Sequence, residues 1–264
     1  MKISCIGTGA MGTAIMKAVC KKYDCSKIKV ADKNSEMAKH FAKETKSIFV
    51  PSNIEAVKDS DFIFLAVKPQ FLKDVFDEIN PYISDKQVFI SMAAGVKLEK
   101  LKSLSCENAR FIRMMPNVCA QVGQAMIAVT KSTEVTDSEF TTAQEILKSA
   151  GKVEPIPESL MDCVTAVSGS GPAFVFMFIE ALADAAVRCG MPRKQAYIYA
   201  AQTVKGSASM VLETEKHPAV LKDSVCSPSG TTIEGVASLE KNNFRNGIIE
   251  AVTSAFEKSV NLGK

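Results

Sequence analysis

The sequence predicts an α/β protein in two parts. A doubly wound, mostly parallel sheet fills residues 1–157, and an all-helical domain fills residues 158–264. Three observations carry this reading. Short apolar, β-branched runs alternate with helical patterns through the first part. A glycine loop, Gly7-Thr8-Gly9-Ala10-Met11-Gly12, separates the first apolar run from the first helical pattern. From Glu158 onward only helical patterns are convincing.

Strands are predicted at residues 2–6, 28–31, 48–50, 62–67, 88–92, 111–114, 125–129 and 152–155. The run Phe62-Ile63-Phe64-Leu65-Ala66-Val67 is apolar throughout, as strands covered on both faces are. Helical patterns lie between them at 10–22, 35–45, 71–79 and 138–149. The second part reads as helices at 161–189, with a break at Gly169-Ser170-Gly171-Pro172, then 194–213, 219–225, 232–241 and 244–261. Pro192 and Pro218 stand where helices begin, where a missing N–H costs nothing. The stretch 173–187 is apolar on nearly every face, so its helix needs cover all round. A second copy of the chain supplies that cover best, which predicts a homodimer through the helical domain; burial against its own neighbours is the alternative.

Composition narrows the class. The 264 residues are 47% hydrophobic and 23% charged, which suits a packed globular protein. The net charge of +3 comes from interspersed charges, so nucleic acid is not an expected partner. The longest apolar run, 172–179, is far short of the ~20 residues that cross a membrane. A signal peptide is not expected, because the chain opens directly on a strand pattern. The eight cysteines form no Cys-x-x-Cys pair, so reduced thiols in a cytoplasmic protein are expected. His40 and His217 are too far apart for a zinc motif, and no metal site is expected.

The glycine loop has the strand–turn–helix context of a dinucleotide site. Gly7 makes the tight turn, Gly9 admits the pyrophosphate, and Gly12 lets helix and strand approach closely. Ile6, Thr8, Ala10 and Met11 complete this candidate cofactor segment. Asp32, at the end of the second strand, is placed to receive ribose hydroxyls and favours NADH. Lys33 and Asn34 follow it, and the lysine could instead receive the 2′-phosphate of NADPH. Later strand ends add Ala66, Val67, Lys68 and Pro69, then Met92, Ala93, Ala94 and Gly95, because ligands lie outside the carboxyl ends of such strands.

A second anion site stands near the C-terminus. Ser227-Pro228-Ser229-Gly230-Thr231-Thr232 opens into a helix, whose first N–H groups can hold a carboxylate. With the pyrophosphate already placed, this loop points to a small acid as the second ligand.

Flanking residues make that acid more specific. Asp162-Cys163-Val164-Thr165-Ala166-Val167-Ser168-Gly169-Ser170-Gly171-Pro172-Ala173-Phe174 resembles a signature of pyrroline-5-carboxylate reductases. So does Leu221-Lys222-Asp223-Ser224-Val225-Cys226-Ser227-Pro228-Ser229-Gly230-Thr231-Thr232-Ile233-Glu234. Ala66-Val67-Lys68-Pro69 and Met115-Pro116-Asn117 agree with the same family, in the same order, so the resemblance spans the chain. It implies reduction of 1-pyrroline-5-carboxylate to L-proline by NAD(P)H, the last step of proline synthesis, with a lean to NADPH. It also implies a Rossmann-type domain, a helical dimerisation domain and further assembly, commonly a decamer.

The resemblance places Thr232 beside the imine nitrogen, as a hydrogen-bond donor that orients it. The amides of Gly230, Thr231 and Thr232 would hold the carboxylate. Capping the helix is the competing role for the Thr232 hydroxyl. The resemblance further carries Glu158, Ser224, Ser227 and Ser229 to the substrate and Asn53 to a cofactor ribose. The family usually has two glycines after Ser-Pro, and Ser229 departs from that. If its φ is positive, serine costs roughly 1 kcal/mol against glycine. Related hydroxyacid dehydrogenases place a catalytic lysine on a helix near the domain boundary, and residues 164–187 hold none. A nucleotide-sensing module without catalysis is the reading from another class.

Overall fold

The computed structural model describes residues 1–107 and 109–262, so residue 264, the expected end of the helical domain, lies outside the described residues. The chain divides into two compact units. The first comprises Met1–Ser170 and the chain from Ala255 onward; the second is Gly171–Ser254.

In the first unit the order is β1 (Ile3–Ile6), α1 (Ala10–Val19), β2 (Ile28–Ala31), α2 (Ser35–Thr45), β3 (Ile48–Phe49), α3 (Asn53–Val57), β4 (Phe62–Leu65), α4 (Leu72–Ile79), β5 (Val88–Ser91), α5 (Leu98–Leu104), β6 (Arg110–Met115), β7 (Ala125–Lys131), α6 (Asp137–Leu147) and β8 (Gly151–Pro155). All eight expected strands are present. Their sheet order is β3-β2-β1-β4-β5-β6-β7-β8. Ile3 pairs in parallel with Ile28 on one side and Phe62 on the other. The strand order therefore reverses between β1 and β4, which opens a crevice at their carboxyl ends.

Among the described residues the one antiparallel pair joins β6 to β7, and β7 then pairs in parallel with β8. Val129 lies opposite both Met114 and Pro155, so β8 ends level with the carboxyl end of β6. The residues after Pro155 thus start at the edge of the sheet where ligands bind.

Successive residues of each central strand enter opposite layers. Phe64 and Ile90 join Ile15, Met16 and Phe41 on one face, while Ile63, Leu65 and Phe89 join Phe76 and Phe111 on the other. The last three rings meet with centroids 5.7 to 6.0 Å apart, at the tilted and edge-on angles that aromatic quadrupoles favour. Helix ends are set locally. Asn34 caps α2, and Thr136 with Glu139 forms a capping box on α6.

Beyond β8 the chain forms α7 (Met161–Val164), a π turn (Thr165–Gly169), α8 (Gly171–Arg188), α9 (Arg193–Thr214), α10 (Pro218–Val225), α11 (Thr231–Lys241) and α12 (Phe244–Leu262). The helices fall where the 3.6-residue periodicity puts them. In the second unit α8 packs on α9 through Ala183, Ala196 and Ala200. Small side chains let the two backbones approach, and the Arg193–Asp184 pair closes the turn between them.

The expectation of full cover for α8 is not met within one copy. Ala183 is its only buried residue, while Phe176 is 59% exposed and Met177 68%. Ile198 and Tyr199 on α9 and Ile249 on α12 are also largely exposed. Burial of α8 by its own neighbours is thereby excluded.

The helical run 158–188 is 31 residues long and holds an 18-residue window with a mean hydropathy of 1.5, a length and composition that a membrane span shares with the core helix of a globular protein. The π turn and the acids Asp162, Glu180 and Asp184 interrupt it. One further expectation is corrected, that of the cysteines. Cys20 and Cys25 are joined as a disulfide rather than reduced, because the end of α1 folds back and brings their Cα atoms to 5.0 Å. Cys5, Cys106, Cys119, Cys163, Cys189 and Cys226 are free thiols.

Candidate active site

The glycine loop leaves the buried strand β1 and turns at Gly7, whose φ is +103°. A Cβ on Gly7 would stand 2.6 Å from the Ala66 carbonyl oxygen, and one on Gly12 would stand 2.4 Å from the Gly7 oxygen. Both positions therefore need glycine. A Cβ on Gly9 would meet nothing, so this residue faces open space. Gly9 caps α1 without a side chain, and the first turn carries no acid. Its N–H groups are available to an anion, with the helix dipole behind them. Below the loop, burial first and the Asp32 charge second push the Cys5 thiol far up, so it stays protonated. Its Sγ donates to the Gly7 carbonyl at 3.3 Å.

Asp32 is engaged inside the protein. One carboxylate oxygen accepts from the Thr8 amide at 2.6 Å and the Thr8 hydroxyl at 3.0 Å; the other accepts from the Asn34 amide at 2.9 Å. Lys33 is exposed, with its ammonium 5.8 Å from the centroid of the Phe71 ring. Asn53 opens α3 and donates to Glu78 Oε2 at 2.6 Å, so its amide is occupied by a neighbouring carboxylate. At the ends of β4 and β5, Ala66 and Val67 are half-buried, Met92 and Ala93 are buried, and Lys68, Pro69 and Ala94 are exposed. Gly95 takes a φ of +75°. A cleft of about 820 Å³ opens there, bounded by Pro69, Gln70, Ala94, Gly95, Lys97 and Lys100.

In the second unit, α10 ends at Val225 and the chain turns through Ser227–Gly230, with the Gly230 amide donating to the Ser227 carbonyl at 3.1 Å. Proline second and positive φ third is the pattern of a type II turn. Ser229 holds that third place with φ +57°. The cap of α11 is Gly230, with no side chain bonded to the helix end. Thr231 and Thr232 are therefore the first two helical residues, and the capping role for Thr232 falls away. Thr232 is half-buried, and among the described residues no hydrogen bond engages its hydroxyl. Ser224 Oγ instead bonds back to the Leu221 carbonyl at 2.7 Å.

Glu158 lies in the first unit with two partners. Its Oε1 accepts from the Leu98 amide at 2.8 Å, closing the start of α5, and from Arg113 Nη1 at 2.9 Å. Arg113 was missed by sequence reasoning, although an arginine inside the apolar run Phe111-Ile112-Arg113-Met114 is a signal of a buried pair. Asn117 was noted only as part of a motif. It is buried and donates to the Ser168 carbonyl at 3.0 Å, holding the π turn against the end of β6. The Ser170 amide reaches the Thr165 carbonyl at 2.9 Å, the wide spacing that defines the turn.

Comparison with known proteins gives this arrangement its context. Residues 158–262 match the family described as pyrroline-5-carboxylate reductase dimerisation, and residues 2–95 match NADP oxidoreductase coenzyme F420-dependent. Pyrroline-5-carboxylate reductase of Methanosarcina acetivorans is 42% identical, over 100% of this chain and 98% of its own. The enzyme of that name from Escherichia coli is also 42% identical, with the same coverage. The chain belongs to the pyrroline-5-carboxylate reductase family. A solved pyrroline carboxylate reductase of Plasmodium falciparum with NADP bound superposes with a TM-score of 0.88 at 32% identity, covering 100% of this chain and 98% of the other.

Pyrroline-5-carboxylate reductases carry out the last step of proline biosynthesis with NAD(P)H, and this chain is an NAD(P)H-dependent oxidoreductase of that family. The glycine loop fits such a cofactor: Gly9 leaves the space that a pyrophosphate needs, and the start of α1 is free of side-chain caps. Ser229 holds a left-handed backbone that glycine adopts without strain. Its left-handed backbone predicts that Ser229→Gly will raise stability by about 1 kcal/mol. Chemical denaturation checks this, and an unchanged or lowered midpoint would show that Ser229 carries no strain.

Proposed function

We propose that this chain reduces 1-pyrroline-5-carboxylate to L-proline with the residues named above in the following roles. Residues 1–157 hold the cofactor and residues 158–264 supply the substrate loop and the dimer contacts. The observation that carries the reading is the start of α11, where backbone amides lack a side-chain cap and the Thr232 hydroxyl is unengaged. A helix N-terminus with free amides binds a carboxylate. Thr231 and Thr232 fix the substrate through that group, while the Gly230 amide, expected to share in this, is taken by the Ser227 carbonyl, so that Ser227, Ser229 and Gly230 shape the turn before the helix. Thr232 donates a hydrogen bond to the ring nitrogen. An alcohol is too weak an acid to serve as a strong proton donor near neutral pH, so Thr232 orients the nitrogen, and water or the protonated iminium supplies the proton.

Gly7, Gly9, Ala10, Met11 and Gly12 would hold the pyrophosphate, with the ends of β4 and β5 beneath the nicotinamide. NAD(P)H supplies the hydride when bound. The exposed Lys33 favours NADPH, since its ammonium can meet a 2′-phosphate. Oxidation of NADPH and NADH followed at their absorbance, with 1-pyrroline-5-carboxylate added, tests both substrate and preference. Cofactor binding without oxidation would favour a sensing module instead.

The exposed apolar side chains of α8, α9 and α12 support a homodimer through the helical unit. Light scattering is expected to show at least a dimer, with a decamer read from the same measurement; a monomer at working concentration would reject the dimer. The six free thiols support a cytoplasmic enzyme, and the Cys20–Cys25 disulfide counts against it.

A further inference from the structure

We infer that Asp32 is a positioning residue that clasps the phosphate loop through Thr8, rather than the group that reads the adenosine ribose. The inference rests on the glycine loop being the cofactor cradle. Thr8 is only 5% exposed, and each of its polar atoms is tied. Its amide and hydroxyl donate to one oxygen of Asp32, at 2.6 and 3.0 Å, and its carbonyl accepts from Thr13 Oγ1 at 2.8 Å. The other Asp32 oxygen takes the Asn34 amide at 2.9 Å. A carboxylate offers roughly four acceptor positions, so three of them are filled from within the chain.

One acceptor position stays open, so a ribose that set both its hydroxyls on Asp32 would have to displace a charge-assisted bond that is already short. One side chain thereby joins the turn after β1 to the turn after β2, and Asn34 passes the restraint on by capping α2. With Thr8 held at nitrogen, hydroxyl and carbonyl, the path from Gly7 to Gly9 is fixed before any ligand arrives. Choice between cofactors then falls to residues beyond Asp32, Lys33 first.

The test is a binding cycle without substrate. Dissociation constants are measured by calorimetry for NADH and for NADH lacking the adenosine 2′-hydroxyl, on the full-length wild type, Asp32→Ala and Asp32→Asn. A clasp predicts that Asp32→Ala weakens NADH about tenfold. Asp32→Asn should recover most of that loss, because its carbonyl oxygen can still accept from the Thr8 amide. Removing the 2′-hydroxyl should cost the same factor in all three proteins. A hydroxyl cost present in the wild type and abolished in either variant would overturn the inference, since it marks direct contact with the ribose. Wild-type affinity in Asp32→Ala would overturn it as well. If Asp32→Ala does not fold, the hydroxyl cost in Asp32→Asn decides alone. A wild type that binds neither NADH nor NADPH would refute the cradle itself, a separate result from either of these.

Discussion

Replacing Thr232 by alanine is expected to lower kcat by about tenfold or more while the dissociation constant of the cofactor stays the same, because a hydrogen bond made to the reacting nitrogen contributes on the order of 1–3 kcal/mol. The structure makes this variant clean. Gly230 is the cap of α11, so the hydroxyl can be removed without loosening the helix end. A fall in turnover therefore cannot be traced to a frayed helix, and the melting temperature should be unchanged. Thr232→Ser should recover much of the rate, since it restores the donor at the cost of a methyl group. Unchanged turnover in Thr232→Ala would end the assignment.

Glu158→Ala is expected to act first on stability. Arg113 is buried and brings a guanidinium charge into the protein. Removing its partner leaves a buried charge unpaired, a loss of about 3 kcal/mol when one member of such a pair is deleted. The Leu98 amide at the start of α5 loses its acceptor in the same step. For a chain of this length the melting temperature should drop by roughly 5–10 °C. Glu158→Gln keeps an acceptor oxygen for both donors and should fall between. The resemblance assigns Glu158 to the substrate. That role predicts the opposite pattern: a wild-type melting temperature with KM for 1-pyrroline-5-carboxylate raised tenfold or more. The two measurements together separate a group that braces α5 from one that touches the ligand.

The difference between these two residues shows what a sequence can carry. Most of the eight strands are legible because they are short apolar runs between turn residues, a local property; β8, Gly151-Lys152-Val153-Glu154-Pro155, is the weakest of them. The glycine loop is legible because steric need sits on individual residues: nothing larger than glycine fits at Gly7 or Gly12. Glu158 and Arg113 meet across 45 residues of chain, and no local pattern encodes a partner at that distance. Helices α3 and α5 span five and seven residues, too short for a 3.6-residue period to declare itself. The π turn was readable only as a glycine-rich interruption. There the Asn117 side chain, from a distant strand end, donates to the Ser168 carbonyl. At Ser229 the sequence could pose the question of a positive φ, but only backbone geometry could answer it. Cys20 and Cys25 are close in sequence yet outside any familiar spacing, and the fold-back after α1 is what brings them together.

The apolar side chains that α8 leaves exposed have a consequence for how the protein comes into being. If a second copy covers Phe176 and Met177, folding of the helical unit is a second-order event. Its apparent midpoint of unfolding would climb with protein concentration, because mass action on a dimer adds to the stability of the chain. A newly made chain would finish its sheet alone and then wait, with that greasy helix uncovered, until another copy reached it.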